Sequence, residues 1–176
     1  MITIVRNILI SLDQARELGF SIFNIDTKEL IEYDMEKFSS GKKIYKDYDD
    51  AIFHIRKMVE KLIDEYSPST ITVEGVQMQQ NKAVFAKLSR LQGVLINCLK
   101  ENNINYIVIP PVTWKSYLKI SKGNKTDREI EKKNSIKFAK EKLGVDTDDD
   151  NISDAICMGY YTLNKYEKDE LIGKNR

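Results

Sequence analysis

Several residue types are scarce in this chain of 176 residues, which has one histidine, two cysteines, three prolines and eight glycines. A single histidine cannot build a two-histidine zinc site, and two cysteines far apart make neither a disulfide framework nor a cysteine-rich metal site. No apolar run approaches the ~18 residues that a membrane-spanning helix needs. Residues 1–7 lack the basic, apolar and small-residue order of a signal peptide. We therefore expect a cytoplasmic protein without membrane contact.

Net charge is also nearly absent, since 28 basic and 27 acidic residues leave a formal charge of +1. Charged residues make up 31% of the chain, which exceeds the ~25% usual for globular domains. A near-zero total does not by itself suggest a nucleic-acid partner. The length predicts one domain over residues 1–176 with a sizeable core, and the charged tail at 165–176 is expected to fray.

The apolar pattern along the chain predicts five strands and five helices. The strands are expected at Asn7–Asp13, Leu18–Ile25, Glu29–Met35, Thr70–Glu74 and Ile104–Ile109, and the helices at Lys46–Tyr66, Asn81–Glu101, Thr113–Leu118, Lys125–Leu143 and Asp148–Asn164. Three hairpin-linked strands followed by alternating helices and strands are typical of an α/β fold. We predict one mixed five-stranded sheet with helices on both faces.

Two carboxylates directly follow predicted strands, Asp13 after the first and Glu74 after the fourth. Each alone could be a helix N-cap or a solvated strand end, but ligands in open α/β sheets gather beyond the carboxyl ends of strands. A third acidic cluster contains Asp150 and Asp154, which share a helix face because they are four residues apart. Acids at 148–150 also complement the helix dipole, so a purely structural role stays open there.

A set of carboxylates with almost no histidine or cysteine suits a hard cation such as Mg²⁺ or Mn²⁺. Two such ions ~4 Å apart can hold both the attacking and the leaving oxygen of a phosphodiester displacement. This chemistry requires no histidine.

Five short motifs, taken in order, resemble those of RuvC-type Holliday junction resolvases, particularly the phage homologues from low-GC Gram-positive hosts. They cover nearly the whole chain and are Ile8–Ala15 with Leu18–Phe20, Thr72–Val76, Leu91–Leu95, Val108–Lys115 and Asp154–Ile156. The resemblance implies an RNase H-like fold, a homodimer and metal-dependent cleavage of branched DNA. It also implies two Mg²⁺ ions per active site, with Mn²⁺ as a substitute, and no small-molecule cofactor.

The same resemblance assigns Asp13, Glu74 and Asp154 as catalytic, metal-binding carboxylates. A fourth ligand is expected three residues before the last aspartate, where this chain has Asn151. An asparagine carbonyl can bind a metal but carries no charge, whereas Asp150 lies one residue earlier and is negative. We therefore predict Asp150 as the fourth catalytic metal ligand, with Asn151 as the alternative.

The late part of the chain is basic, with ten basic and four acidic side chains between Lys115 and Lys142, a net +6. This could be an ordinary solvated helix face, but a basic loop before a helix N-terminus is also a sensible phosphate-binding element. The candidate DNA contacts are Lys115, Lys122, Lys125 and Arg128, together with Gln77, Gln79 and Lys82 after the Glu74 motif. Lys115 and Lys122 could also stabilise charge at the scissile phosphate.

The predicted activity is structure-selective endonuclease cleavage of four-way DNA junctions by symmetric paired nicks. One alternative is a nuclease of the same fold that acts on flaps, forks or RNA. Another is a branched-DNA binding protein without catalysis. An actin-like ATPase is disfavoured, because the eight glycines form no phosphate-binding loop. The wide apolar arc of helix 81–101 could form the dimer face or pack under the sheet.

Overall fold

The computed structural model describes residues 7–14, 17–37, 45–78, 81–122 and 127–173. One five-stranded sheet forms its centre, with the strand order β3-β2-β1-β4-β5. The strands β1, β2 and β3 pair antiparallel, whereas β4 pairs parallel to both β1 and β5. The strands are β1 (Ile8–Gln14), β2 (Leu18–Asn24), β3 (Leu30–Glu36), β4 (Thr70–Glu74) and β5 (Asn105–Ile109). The mixed sheet predicted from the sequence is confirmed.

Six helices are present in the described part of the chain. They are α1 (Tyr48–Tyr66), α2 (Lys82–Glu101), α3 (Pro111–Tyr117), α4 (Arg128–Leu143), α5 (Asp150–Lys165) and α6 (Lys168–Leu171). Four of them begin at an Asp or Asn side chain that accepts a hydrogen bond from the first turn: Asp47, Asn81, Asp127 and Asp149. Such caps satisfy donors that the helix itself leaves unpaired. None of these helices combines the length and the apolarity needed to span a bilayer.

The central strand β1 is buried on both faces because successive side chains point to opposite sides of the sheet. Ile10 and its even-numbered neighbours pack against α1 and α2, where they meet residues such as Val59 and Leu95. Leu9 lies on the other face with Phe23 and Ile156 of α5. The sheet is therefore covered by helices on both sides, which leaves its strand ends as the place for a site.

Small residues bring α5 unusually close to β2. A Cβ atom added to Gly19 would lie 2.3 Å from the backbone oxygen of Asn151, and one added to Gly159 would lie 2.4 Å from the Phe23 ring. The Ser21 hydroxyl donates a hydrogen bond of 2.9 Å to the Ala155 carbonyl. This contact fixes the height of α5 on the sheet and hence the position of the acids on its first turns.

Within the charged tail that was expected to fray, residues 165–173 are part of the described structure. This segment contains α6, and Leu171 is buried in the α5-side core. The Thr70 hydroxyl at the start of β4 donates a hydrogen bond to the Leu171 carbonyl. Leu171 supplies enough apolar burial to dock a segment whose other residues are mostly charged. Residues 174–176 lie outside the described part of the chain.

Candidate metal centre

Asp13 and Glu74 lie side by side at the carboxyl ends of two neighbouring parallel strands. The last register pair between β1 and β4 joins Leu12 to Val73, so each acid is the next residue along its strand. Asp13 is only 5% exposed. Burial raises the pKa of Asp13 well above its ordinary value, and the negative charges of Glu74 and Asp154 raise it further. The two strands thus hold carboxylates together despite their mutual repulsion.

The third acid of this cluster, Asp154, comes from α5 on the other side of the strand ends. Burial raises its pKa, although the nearby Lys115 ammonium partly opposes the rise. The Asp154 Oδ1 atom is buried and has no hydrogen-bond partner in the described structure. The Ser135 hydroxyl and the Lys115 ammonium are close enough to lower the pKa of Asp154. A buried carboxylate oxygen without a well-formed hydrogen bond is nevertheless costly, and a bound cation would offset that cost.

Glu74 accepts a side-chain hydrogen bond from α3. The Trp114 indole Nε1 donates a 3.1 Å hydrogen bond to Glu74 Oε1. Burial and the charge of Asp154 nevertheless raise the pKa of Glu74 to about 7, against the lowering effects of Lys115 and Trp114. Trp114 is completely buried, so it contacts Glu74 from within the core.

Lys115 lies inside this cluster and not on an open surface. Its Nζ atom is 3.5 Å from Asp154 Oδ2 and 3.4 Å from Glu131 Oε2, and its side chain is 17% exposed. Burial lowers the pKa of Lys115, but the charges of Asp154, Glu74 and Glu131 outweigh burial and raise it overall. Lys115 therefore carries its charge among the acids, where it reduces their repulsion.

The structure does not choose between Asp150 and Asn151, the two residues predicted as the fourth metal ligand. Asp150 is close enough for its charge to raise the pKa of Asp154, but it forms an ion pair of 3.2 Å with Lys132 on α4. Asn151 instead donates from Nδ2 towards Glu17 Oε2 at 3.4 Å. Both side chains thus have partners within the protein, and both lie on the first turn of α5.

The residues of the cluster fit a hard divalent cation by their chemistry. All the acidic donors are carboxylate oxygens, they are desolvated, and one of them lacks any partner. No group of three or more acidic, histidine or cysteine side chains in the described ranges already has the arrangement that could hold a metal ion.

The structure describes some, but not all, of the other residues predicted to contact DNA. Four of them are exposed, on the loop after β4, on α2, on the α3–α4 connection and on α4: Gln77, Lys82, Lys122 and Arg128. Lys125 and Gln79 lie outside the described residues. The sequence reasoning did not find Trp114, Glu131, Gln14 or Gln92 as neighbours of the acids. Two of these could have been suspected, because each is next in sequence to a predicted site residue: Trp114 precedes Lys115, and Gln14 follows Asp13.

Comparison with known proteins bears on this arrangement. The family model DUF3882, described as "Lactococcus phage M3 protein", matches residues 16–164. The chain belongs to this family. No curated protein matches it.

Solved structures show where the fold is found. The structure of T. thermophilus RuvC in complex with a Holliday junction substrate is 13% identical, with a TM-score of 0.66 over 88% of this chain and 91% of that one. The yeast mitochondrial Holliday junction resolvase Ydc2 is 14% identical, with a TM-score of 0.61 over 96% and 81%. The Fowlpox virus resolvase with Holliday junction DNA is 17% identical, with a TM-score of 0.59 over 89% and 97%. The fold of this protein is the RNase H-like fold of RuvC and other Holliday junction resolvases.

Proposed function

We propose that this protein is a metal-dependent endonuclease that cleaves branched DNA, four-way junctions above all. The observation that carries the proposal is the convergence of Asp13, Glu74 and Asp154 at the strand ends, with a buried Asp154 oxygen that has no donor. Structures that share the fold include two that contain Holliday junction substrate. A buried acidic cluster would repel DNA phosphates unless cations were bound, which favours a catalytic role over binding alone.

In this mechanism Asp13, Glu74 and Asp154 would hold Mg²⁺, or Mn²⁺ as a substitute, with Asp150 or Asn151 as a further ligand. A divalent cation held there would activate a water molecule and stabilise negative charge on the phosphate oxygens. Trp114 fixes the Glu74 carboxylate through its Nε1 hydrogen bond. Lys115 lies 3.5 Å from Asp154 and is placed to neutralise charge at the same point.

Basic residues around the strand ends would hold the DNA backbone. Lys82, Lys122 and Arg128 are exposed on different elements next to the acids, so together they could follow two phosphate paths. We extend the same role to Lys125 and Gln79, which lie outside the described residues. Gln77 is exposed on the loop directly after Glu74, where an amide could reach bases or phosphates at a branch point.

We further propose that two copies of the chain act together through α2. The first half of this helix leaves apolar side chains in solvent: Val84 is 38% exposed, and Ala83 and Ala86 are exposed as well. Gly93, about two turns beyond Ala86, has no other group within 4 Å of the place where a Cβ would stand. Exposed apolar side chains clustered at the start of a helix favour a protein partner. A symmetric dimer would present two cleavage sites, as paired nicks across a four-way junction require.

The test is cleavage of an end-labelled four-way junction by the full chain, with MgCl₂ or with EDTA. We expect nicks at symmetric positions that depend on the metal. Asp13→Asn should bind the junction and leave it intact, whereas Glu141→Gln, a change on the exposed face of α4, should cut like the wild type. Parallel assays on flap, fork and RNA–DNA hybrid substrates show whether the protein prefers four-way junctions or one of these other substrates. Cleavage that survives Asp13→Asn would contradict the site.

A further inference from the structure

The backbone carbonyl of Glu74 accepts hydrogen bonds from two side-chain amides at once. The Gln14 Nε2 atom donates at 2.7 Å from the last residue of β1, and the Gln92 Nε2 atom donates at 3.2 Å from the middle of α2. In sequence, Gln14 is 60 residues and Gln92 is 18 residues from their shared acceptor, Glu74. We call this three-residue arrangement the amide clamp.

The clamp stands where the strand pairing between β1 and β4 stops. In the described strands the β1–β4 register ends at Leu12 and Val73, one residue before the two acids. On its other side β4 remains tied to β5, because the Gly75 N–H donates a 2.8 Å hydrogen bond to the Ile109 carbonyl. Gln14 therefore replaces, with a side chain, the ladder bond that would otherwise join the two acid-bearing strands.

Packing alone does not hold the strand ends together at this point. A cavity of about 80 Å³ lies beside them, lined by residues that include Gln14, Glu74, Gly75 and Leu88. Gln14 is only 5% exposed, yet its Oε1 atom has no partner among the described residues. An orphaned buried oxygen destabilises the fold, so an apolar residue would suit this place better if only packing mattered. The amide is explained by its donor, which reaches Glu74.

We infer that Gln14 and Gln92 are positioning residues that set the spacing of the Asp13 and Glu74 carboxylates for a divalent cation. Gln14 directly follows Asp13, so its hydrogen bond to Glu74 links the backbones of both acids. Gln92 holds the same carbonyl from the helix side and stops β4 from moving away. This inference rests on the proposed function, because it assigns the clamp to the metal centre of that function.

The experiment measures Mn²⁺ binding by the full chain, with MnCl₂ titrated in a calorimeter and no DNA present. Gln92→Met is the leading variant, because methionine matches glutamine in length and helix propensity but donates no hydrogen bond. Gln14→Met is the second. We expect each to weaken Mn²⁺ binding about tenfold. The double variant should lose more than the product of the two effects, since either amide alone can satisfy the shared carbonyl.

Asn134→Leu is the matched control, because it also removes an amide that donates to a backbone carbonyl, that of Ile120 at 2.9 Å. It should lower the melting temperature and leave Mn²⁺ affinity within about twofold. If Gln14→Met and Gln92→Met melt like this control and also keep Mn²⁺ affinity within twofold, the positioning role of the amide clamp is refuted. If Asp13→Asn abolishes binding at the same time, the metal centre stands and only the clamp is refuted. A wild-type chain that binds no Mn²⁺ overturns both.

Discussion

Replacing Glu74 by glutamine should stabilise the metal-free protein at alkaline pH. Burial, with the charge of Asp154, raises the pKa of Glu74 from 4.5 to about 7 in the folded chain. The folded state therefore keeps a proton that the unfolded state releases near its ordinary pKa. The resulting stability is complete below about pH 4.5 and is lost as the pH rises through about 7. A glutamine side chain never ionises and so avoids this loss.

The size of the effect follows from the pKa. A rise from 4.5 to about 7 corresponds to about 3 kcal/mol, because each pKa unit is worth about 1.4 kcal/mol. Glu74 lies at a partly exposed strand end, so solvent screening reduces the expected gain to about 2 kcal/mol. Glutamine can still accept from Trp114 through its own oxygen, which preserves that hydrogen bond.

The assay is urea unfolding in EDTA at pH 5 and at pH 8. The free energy of unfolding of Glu74→Gln relative to the wild type should rise by about 2 kcal/mol between the two pH values. Glu141→Gln, which alters an exposed ion pair with Lys137, should change by less than about 0.5 kcal/mol. Saturating MgCl₂ should stabilise the wild type selectively. An identical pH dependence for wild type and Glu74→Gln would refute the reasoning.

Three further substitutions test other parts of the structure. Lys115→Met should destabilise the metal-free protein by about 3 kcal/mol in urea unfolding, because it leaves buried acids without their cation, and MgCl₂ should reduce that loss. Gly19→Ala should cost about 1–3 kcal/mol in thermal unfolding and slow junction cleavage, since its Cβ would press on the Asn151 backbone. Val84→Lys should convert the proposed dimer to a monomer in light scattering, whereas an unchanged mass would exclude this part of α2 from the interface.

The strands, the main helices and the three central acids could all be predicted from the sequence. Apolar periodicity reports which face of an element is buried, and Asp13 and Glu74 lie at the points where that pattern stops. Side-chain partners do not follow any such period. The contact between Lys115 and Glu131, the ion pair of Asp150 with Lys132 and the docking of Leu171 join different elements, so they depend on tertiary packing.

The acidic cluster joins residues that are far apart in the sequence, so it forms late during synthesis of the chain. Asp13 is made early, but Asp154 lies on α5, whose contact with β2 joins residues 134 positions apart. A chain emerging from the ribosome therefore has no complete cluster until α5 has been synthesised. Under the proposed function, fragments that end before α5 should therefore be unable to cut DNA.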